Sequence, residues 1–265
     1  MGIVTQPFRT MQHHDTKITY GLIGYPLTHS FSRDFFNQKF AAEGINAEYF
    51  NFEIEDVGVL TEVLSEFPTL QGLNVTAPYK QAVIPMLSEL DDDAREIGAV
   101  NVIKVLRDAH TGEVTGLKGF NSDMPAFMRT IEPLLTSEHT HALVIGTGGA
   151  SKAVSQALKR LGVQVQLVSR HKSAATVTSE ELTRAMVAQH HLVVNATPLG
   201  KWPDVDKCPD FPYRLLTPEH LCYDLIYNPD ETQFMKRSQA MGAKTKNGLE
   251  MLLLQAFISY QMWTE

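Results

Sequence analysis

The chain has 265 residues, 43% of them apolar, and a formal net charge of −7. That much apolar material buries a sizeable core and predicts two domains of ordinary size. The acidic balance, with no basic cluster beyond residues 169–172 (SRHK), excludes a nucleic-acid footprint and points to a small-molecule partner.

The first 16 residues, MGIVTQPFRTMQHHDT, lack the continuous apolar core and small-residue cleavage site of a secretory signal, and are expected to form a poorly ordered leader. ITYGLIG has a strand's β-branched and aromatic content, and the hydroxyl-rich loop YPLTHSFS follows it. SRDFFNQKFAAEG spaces Phe36 and Phe40 as a helix would, with Ser32 near its N-cap and Gly44 at its end. AEYFNFEI alternates like a strand, DVGVLTEVLSEF has a helical period, and LNVTA is again a strand. The β-α-β-α-β order predicts a largely parallel sheet. After Lys80 come an apolar-periodic helix, QAVIPMLSEL, interrupted by Pro85, then the acidic DDDAREIG, then strands VNVIKVLR and EVTGLKG around a turn at DAHTG.

A second βα series opens with HALVIGTGGASKAVSQALKRLG and continues through VQVQLVSR, a helical TSEELTRAMVAQ and HLVVNATP. A loop rich in proline and aspartate leads to the strand LCYDLIY, the helix ETQFMKRSQAMGA and the long apolar helix GLEMLLLQAFISYQMW. That last helix is expected to pack back on the first domain. Neither it nor LCYDLIY reaches the roughly 20 apolar residues of a bilayer span. No repeat of fixed period is visible. Cys208 and Cys222 lack the CxxC or Cys/His spacing of a metal or redox site, so no metal is expected and the thiols read as inert in a reducing cytoplasm.

In LVIGTGGASKAV a strand delivers Gly146, Thr147, Gly148, Gly149 and Ala150 into a helix N-terminus, where backbone N–H groups and the helix dipole suit a diphosphate. Ser151 stands where the dinucleotide fingerprint has its third glycine, so alone the turn also fits an ordinary tight turn. The next strand ends in Ser169, Arg170, His171 and Lys172, where binders of NAD place an acid on the ribose. A basic residue there suits the 2′-phosphate of NADP; a solvated surface turn is the plainer reading.

Six stretches in order, GYPLTHSFS, NVTAPYK, GAVN, GFNSD, GTGGAS and YDLIYNP, resemble the shikimate dehydrogenases. The resemblance runs from about Gly21 to NGLEMLLLQA, nearly the whole chain. It implies an α/β fold: an N-terminal α/β substrate domain with a mostly parallel sheet over residues 17–119, completed by a C-terminal helix at 248–265, and a Rossmann-like NADP-binding domain over 120–247. It implies an active site in the cleft between them. The implied reaction is NADP-dependent interconversion of 3-dehydroshikimate and shikimate in aromatic amino acid (chorismate) biosynthesis. A monomer or homodimer is expected, with no nucleic acid or membrane as partner.

Carried over residue by residue, the resemblance puts Ser30 and Ser32 on the substrate carboxylate. Asn74, Thr76, Lys80, Asn101 and Asp123 fall around the polyol face of the ring, with Tyr227 and Gln255 as further substrate contacts. Lys80 is the implied proton-transfer group, oriented by Asp123. Leu225, Gly248 and Met251 are implied near the nicotinamide, and Asp93 toward the cofactor. Three positions depart from the family pattern: Arg33 replaces a usual proline, Met124 to Phe127 lack a usual glycine, and Ser169-Arg170-His171 replaces a commoner Asn-Arg-Thr. A quinate/shikimate dehydrogenase paralogue using NAD(P), and an idle metabolite or nucleotide sensor, are the rival readings.

Overall fold

The computed structural model describes residues 17–27 and 31–265; the expected leader and Ser30 lie outside the described residues. The chain divides into two compact units, one running to Ser122 and including Ile258–Glu265, the other covering Asp123–Phe257.

The first unit runs β1 (Ile18–Gly24), α1 (Phe31–Glu43), β2 (Ala47–Glu53), α2 (Leu60–Glu66), β3 (Leu70–Val75), α3 (Tyr79–Ala82), β4 (Glu89–Leu90), α4 (Asp92–Ile97), β5 (Val102–Arg107) and β6 (Val114–Phe120). Its sheet has the order β2-β1-β3-β5-β6-β4. β1 runs parallel to β2 and β3, while β5 is antiparallel to β3 and β6. The β5–β6 pair is a hairpin closed by the short connection at DAHTG, where the Asp108 carboxylate accepts from the backbone N–H groups of His110 (2.9 Å) and Thr111 (2.8 Å).

One core of this unit gathers Ile23, Phe52, Leu70, Leu73, Val75 and Ile103 with their neighbours. A second, aromatic layer contains Tyr20, Phe36, Phe40, Tyr49 and Trp263 of the C-terminal segment, with the Phe36 and Tyr49 rings stacked at 4.8 Å and Tyr20 stacked on Trp263 at 4.8 Å. Gly72 is what lets the indole lie on β3, since a Cβ there would stand 2.3 Å from Trp263 Cδ1.

Two helices differ from their sequence patterns. Helix α1 begins at Phe31, so Ser32 lies in its first turn and is not the cap. The expected helix over QAVIPMLSEL breaks into α3 and a separate 3₁₀ turn at Ile84–Met86, because Pro85 has no N–H for a continuing helix.

The second unit runs α5 (Asp123–Ile131), β7 (His141–Ile145), α6 (Gly149–Arg160), β8 (Gln164–Val168), β9 (Thr176–Val177), α7 (Arg184–Gln189), β10 (Leu192–Asn195), β11 (Leu221–Asp224), α8 (Gln233–Gln239), β12 (Lys244–Lys246) and α9 (Leu249–Thr264), whose last turns belong to the first unit. Its six strands are ordered β12-β11-β10-β7-β8-β9 and every ladder is parallel. The chain leaves β7 for β8 on one side and returns to β10 on the other, so the C-terminal end of β7 is a topological switch point, where sheets of this kind leave a crevice. The expected helix over TSEELTRAMVAQ shortens to α7 after a 3₁₀ turn. Thr178 and Glu181 cap that turn reciprocally, and Thr183 starts a new helix by accepting from Met186 N–H at 3.2 Å.

Candidate active site

In the first unit the residues singled out from sequence lie at the ends of β1, β3 and β5. β3 ends at Val75, and the backbone then turns: Thr76 N–H donates to Ile23 O (2.9 Å) and Tyr79 N–H to Thr76 O (2.9 Å). The Tyr79 hydroxyl reaches Ile54 O at 2.6 Å, and Lys80 O accepts from Val100 N–H at 2.7 Å. The lysine's backbone is thereby held on both sides while its side chain is half-buried. Asp93 sits half-buried in the first turn of α4, which Asp91 caps by accepting from Ala94 N–H at 2.8 Å.

Asn74 and Asn101, both buried, are joined by a polar network. The Tyr49 hydroxyl donates to Asn74 Oδ1 (2.8 Å), and Asn74 Nδ2 donates to Ser259 Oγ (2.9 Å) and Asn101 O (3.3 Å). Ser259 Oγ lies 3.1 Å from Ser122 Oγ, which accepts from Asn101 Nδ2 at 2.9 Å, while Ser122 N–H donates to Asn101 Oδ1 at 2.7 Å. Ser32 hydrogen-bonds the Tyr49 hydroxyl, whose pKa burial pushes well above the usual phenol range. Three predicted residues, Ser32, Asn74 and Asn101, are thus brought into one cluster. Tyr49, Ser122 and Ser259 were missed; a serine inside the apolar LLLQAFISYQMW was the available signal.

In the second unit the glycine turn occupies the switch point. Gly146 has φ +117° and a Cβ there would stand 3.1 Å from Ala196 O, so the position requires glycine. Gly148 caps α6 and nothing lies within 4 Å of the place its Cβ would occupy. Ser151 is buried and donates its hydroxyl back to Gly146 O at 2.6 Å, so it packs the turn where the fingerprint has glycine. Open space over the unpaired N–H groups of a helix start fits a dinucleotide diphosphate.

Arg170 and His171 are exposed beyond β8 with Lys172, which forms an ion pair with Glu181; His171 N–H is turned to Ser169 Oγ (3.2 Å). Leu225 follows β11, and a Cβ on Gly248 would stand 2.1 Å from its carbonyl oxygen, so α9 starts in contact with that turn only as glycine. Tyr227 is half-buried, which raises its phenol pKa. Met251 is buried and Gln255 half-buried, one turn apart on α9; Gln255 Nε2 donates to Leu252 O at 3.1 Å. Asp123, also buried, opens α5.

Asp224, within the singled-out YDLIYNP but without an assigned role, is a second buried acid of this unit. Its carboxylate accepts from Thr232 Oγ1 (2.6 Å), Asn195 Nδ2 (3.0 Å) and Ile226 N–H (3.0 Å). Asn195 Oδ1 in turn accepts from Thr197 N–H (3.0 Å) and Thr197 Oγ1 (2.7 Å). Desolvation outweighs these donors and pushes the Asp224 pKa up to about 6.

A doubly wound parallel sheet with a glycine turn at its switch point, in one chain with an α/β unit carrying a lysine and a buried amide network, defines the class of dinucleotide-binding oxidoreductases. Residues 22–103 match the model of the shikimate dehydrogenase substrate binding domain. The chain is 37% identical to the NADP(+) shikimate dehydrogenase of Desulforamulus reducens, covering 92% of this chain and 89% of that one. The chain belongs to the shikimate dehydrogenase family. Among solved structures it resembles the Thermus thermophilus enzyme in complex with NADP(H) and shikimate (TM-score 0.79, 28% identity, 93% of each chain). It also resembles a quinate dehydrogenase from Corynebacterium glutamicum in complex with NAD (TM-score 0.79, 28% identity, 94% of each chain).

Proposed function

We propose that this protein reversibly reduces 3-dehydroshikimate to shikimate with NADPH, a step of aromatic amino acid biosynthesis, in the cytoplasm. Among the described residues no helix is long and apolar enough to cross a membrane. The observation that carries the reading is the likeness to an NADP(+) shikimate dehydrogenase over 92% of the chain, together with Lys80 and Asp123 in the family's NVTAPYK and GFNSD stretches. The first unit is the substrate domain and the second the NADP domain.

NADPH, when bound, supplies the hydride. Gly146 to Ala150 at the start of α6 would hold its diphosphate and Arg170 the 2′-phosphate. The remaining chemistry belongs to side chains. Ser30 and Ser32 hold the ring carboxylate with hydroxyl donors; Thr76, Asn101, Tyr227 and Gln255 hold the ring hydroxyls. Reduction of the ketone needs a proton at the new hydroxyl oxygen, and oxidation needs a base there; Lys80 is that group and Asp123 orients it.

The test is to mix the protein with shikimate and NADP⁺ and follow NADPH absorbance. Steady turnover is the expected result, and none would favour an idle sensor. The likeness to a quinate dehydrogenase with NAD, and the pairing of Lys172 with Glu181, favour one rival, a quinate/shikimate paralogue. Running the assay with quinate and with NAD⁺ separates the two readings, and efficient quinate turnover would select the paralogue. Arg170→Ala is expected to weaken NADP⁺ by about one to two powers of ten, the worth of charge-assisted bonds to a phosphate, and NAD⁺ far less. Equal losses for both cofactors would remove Arg170 from the phosphate site.

A further inference from the structure

Asn74 has no hydrogen left for a substrate. An amide offers two N–H donors and a carbonyl oxygen with two lone pairs. Both donors are committed within the protein, to Ser259 Oγ at 2.9 Å and Asn101 O at 3.3 Å, and Tyr49 takes one lone pair at 2.8 Å. We infer that Tyr49 and Ser259 are positioning residues for substrate recognition, tied together by Asn74 as a strut: Tyr49 sets Ser32, and Ser259 sets Asn101 by way of Ser122. This rests on the shikimate reading above.

At Tyr49 and Asn74 the hydrogen bonds run in one direction. Because the Tyr49 proton goes to Asn74 Oδ1, the Ser32 hydroxyl donates to the phenolic oxygen. The phenol keeps its proton across the working pH range, since burial raises its pKa far above neutrality. The Asn74 carbonyl faces Tyr49 and its nitrogen faces Ser259. At the other end Ser122 N–H fixes Asn101 Oδ1, so Asn101 Nδ2 points at Ser122 Oγ, 3.1 Å from Ser259 Oγ. Tyr49 and Ser259 are 0% exposed and Asn74 5%, so each partner lost would stay unpaired away from water and the remaining side chains would rotate. Ser32 and Asn101, the residues proposed for the carboxylate and the hydroxyls of one ring, are the two ends of this chain. Tyr49 and Ser259, fully buried and without an assigned substrate contact, are where the loss of a hydroxyl measures positioning.

The experiment compares the intact protein with Tyr49→Phe and Ser259→Ala by shikimate calorimetry and steady-state kinetics. Each variant is expected to weaken shikimate by about five- to thirtyfold, the loss expected when buried partners are left unpaired, with the NADP⁺ constant within about twofold and turnover within about threefold. The double variant Tyr49→Phe/Asn74→Ala is expected to bind worse than Asn74→Ala by less than Tyr49→Phe costs alone, because Tyr49 acts partly through Asn74 and partly on Ser32 directly. Ser259→Ala leaves the Ser32 to Tyr49 bond intact and carries the test if Tyr49→Phe fails to fold. Unchanged shikimate binding in the folded variants, with only a lower melting temperature, would overturn the inference and make the network a packing device. A wild type that binds shikimate without turning it over would overturn the catalytic reading alone, and one that does neither would overturn both.

Discussion

Lys80→Ala is expected to lower the turnover number by a factor of about 10²–10⁴, the usual worth of a positioned acid or base, while the shikimate constant moves much less. The expected split follows from when the ammonium matters: its proton is needed most at the oxygen where charge develops as the ketone is reduced. Misfolding is a poor alternative explanation for such a loss. The backbone at this position is held by Val100 N–H on Lys80 O (2.7 Å) and by the Tyr79 hydroxyl on Ile54 O (2.6 Å), neither of which involves the lysine side chain. Asp123→Asn keeps shape and removes charge, so it should also slow turnover and displace the pH–rate profile. If the two work as a unit, the double variant is only slightly worse than the worse single one. Wild-type turnover in folded Lys80→Ala would end its assignment, and additive losses would separate the pair.

Asp224→Ala is expected to destabilise the protein by about 3–5 kcal/mol, read by urea unfolding at pH 7, because three buried donors on Thr232, Asn195 and Ile226 lose their acceptor at once. Asp224→Asn behaves differently. Its carbonyl still accepts from Asn195 and Ile226, and the Thr232 hydroxyl turns round to accept from the new amide, so at pH 7 the loss is small or reversed.

The sign of the pH dependence separates the variants. The folded pKa, about 6, lies above the ordinary 3.8, so this group's extra stability is fully present below about pH 4 and disappears as pH rises through 6. The difference is worth about 3 kcal/mol at 1.36 kcal/mol per unit. Stability of Asp224→Asn relative to wild type should therefore climb between pH 4 and pH 7. A flat difference over that window would mean that Asp224 titrates as a free carboxylate does.

Much of this was legible in the sequence. The glycine turn follows a strand and opens a helix in both readings, because a strand's composition, a φ that only glycine tolerates at Gly146 and a helix start are local properties. Ser32, Asn74, Asn101 and Lys80 were singled out by number, from strings short enough to recognise. Helix breaks were less visible. Pro85 reads as an interruption of its helix, as found, whereas in TSEELTRAMVAQ the helical period hides the capping hydroxyl of Thr183.

What the chain alone determined, then, is the order of strands and helices, the two α/β series and the candidate residues for chemistry, since hydrophobic period and turn chemistry act over a few neighbouring positions. Tertiary structure decided which amide faces which hydroxyl. Asn74 meets Ser259 across 185 positions of sequence, and Asp224 becomes a buried acid only when β10 lies beside β11 and brings Asn195 to its carboxylate. Desolvation and hydrogen-bond direction arise only when distant segments exclude water together, and no local pattern encodes that meeting.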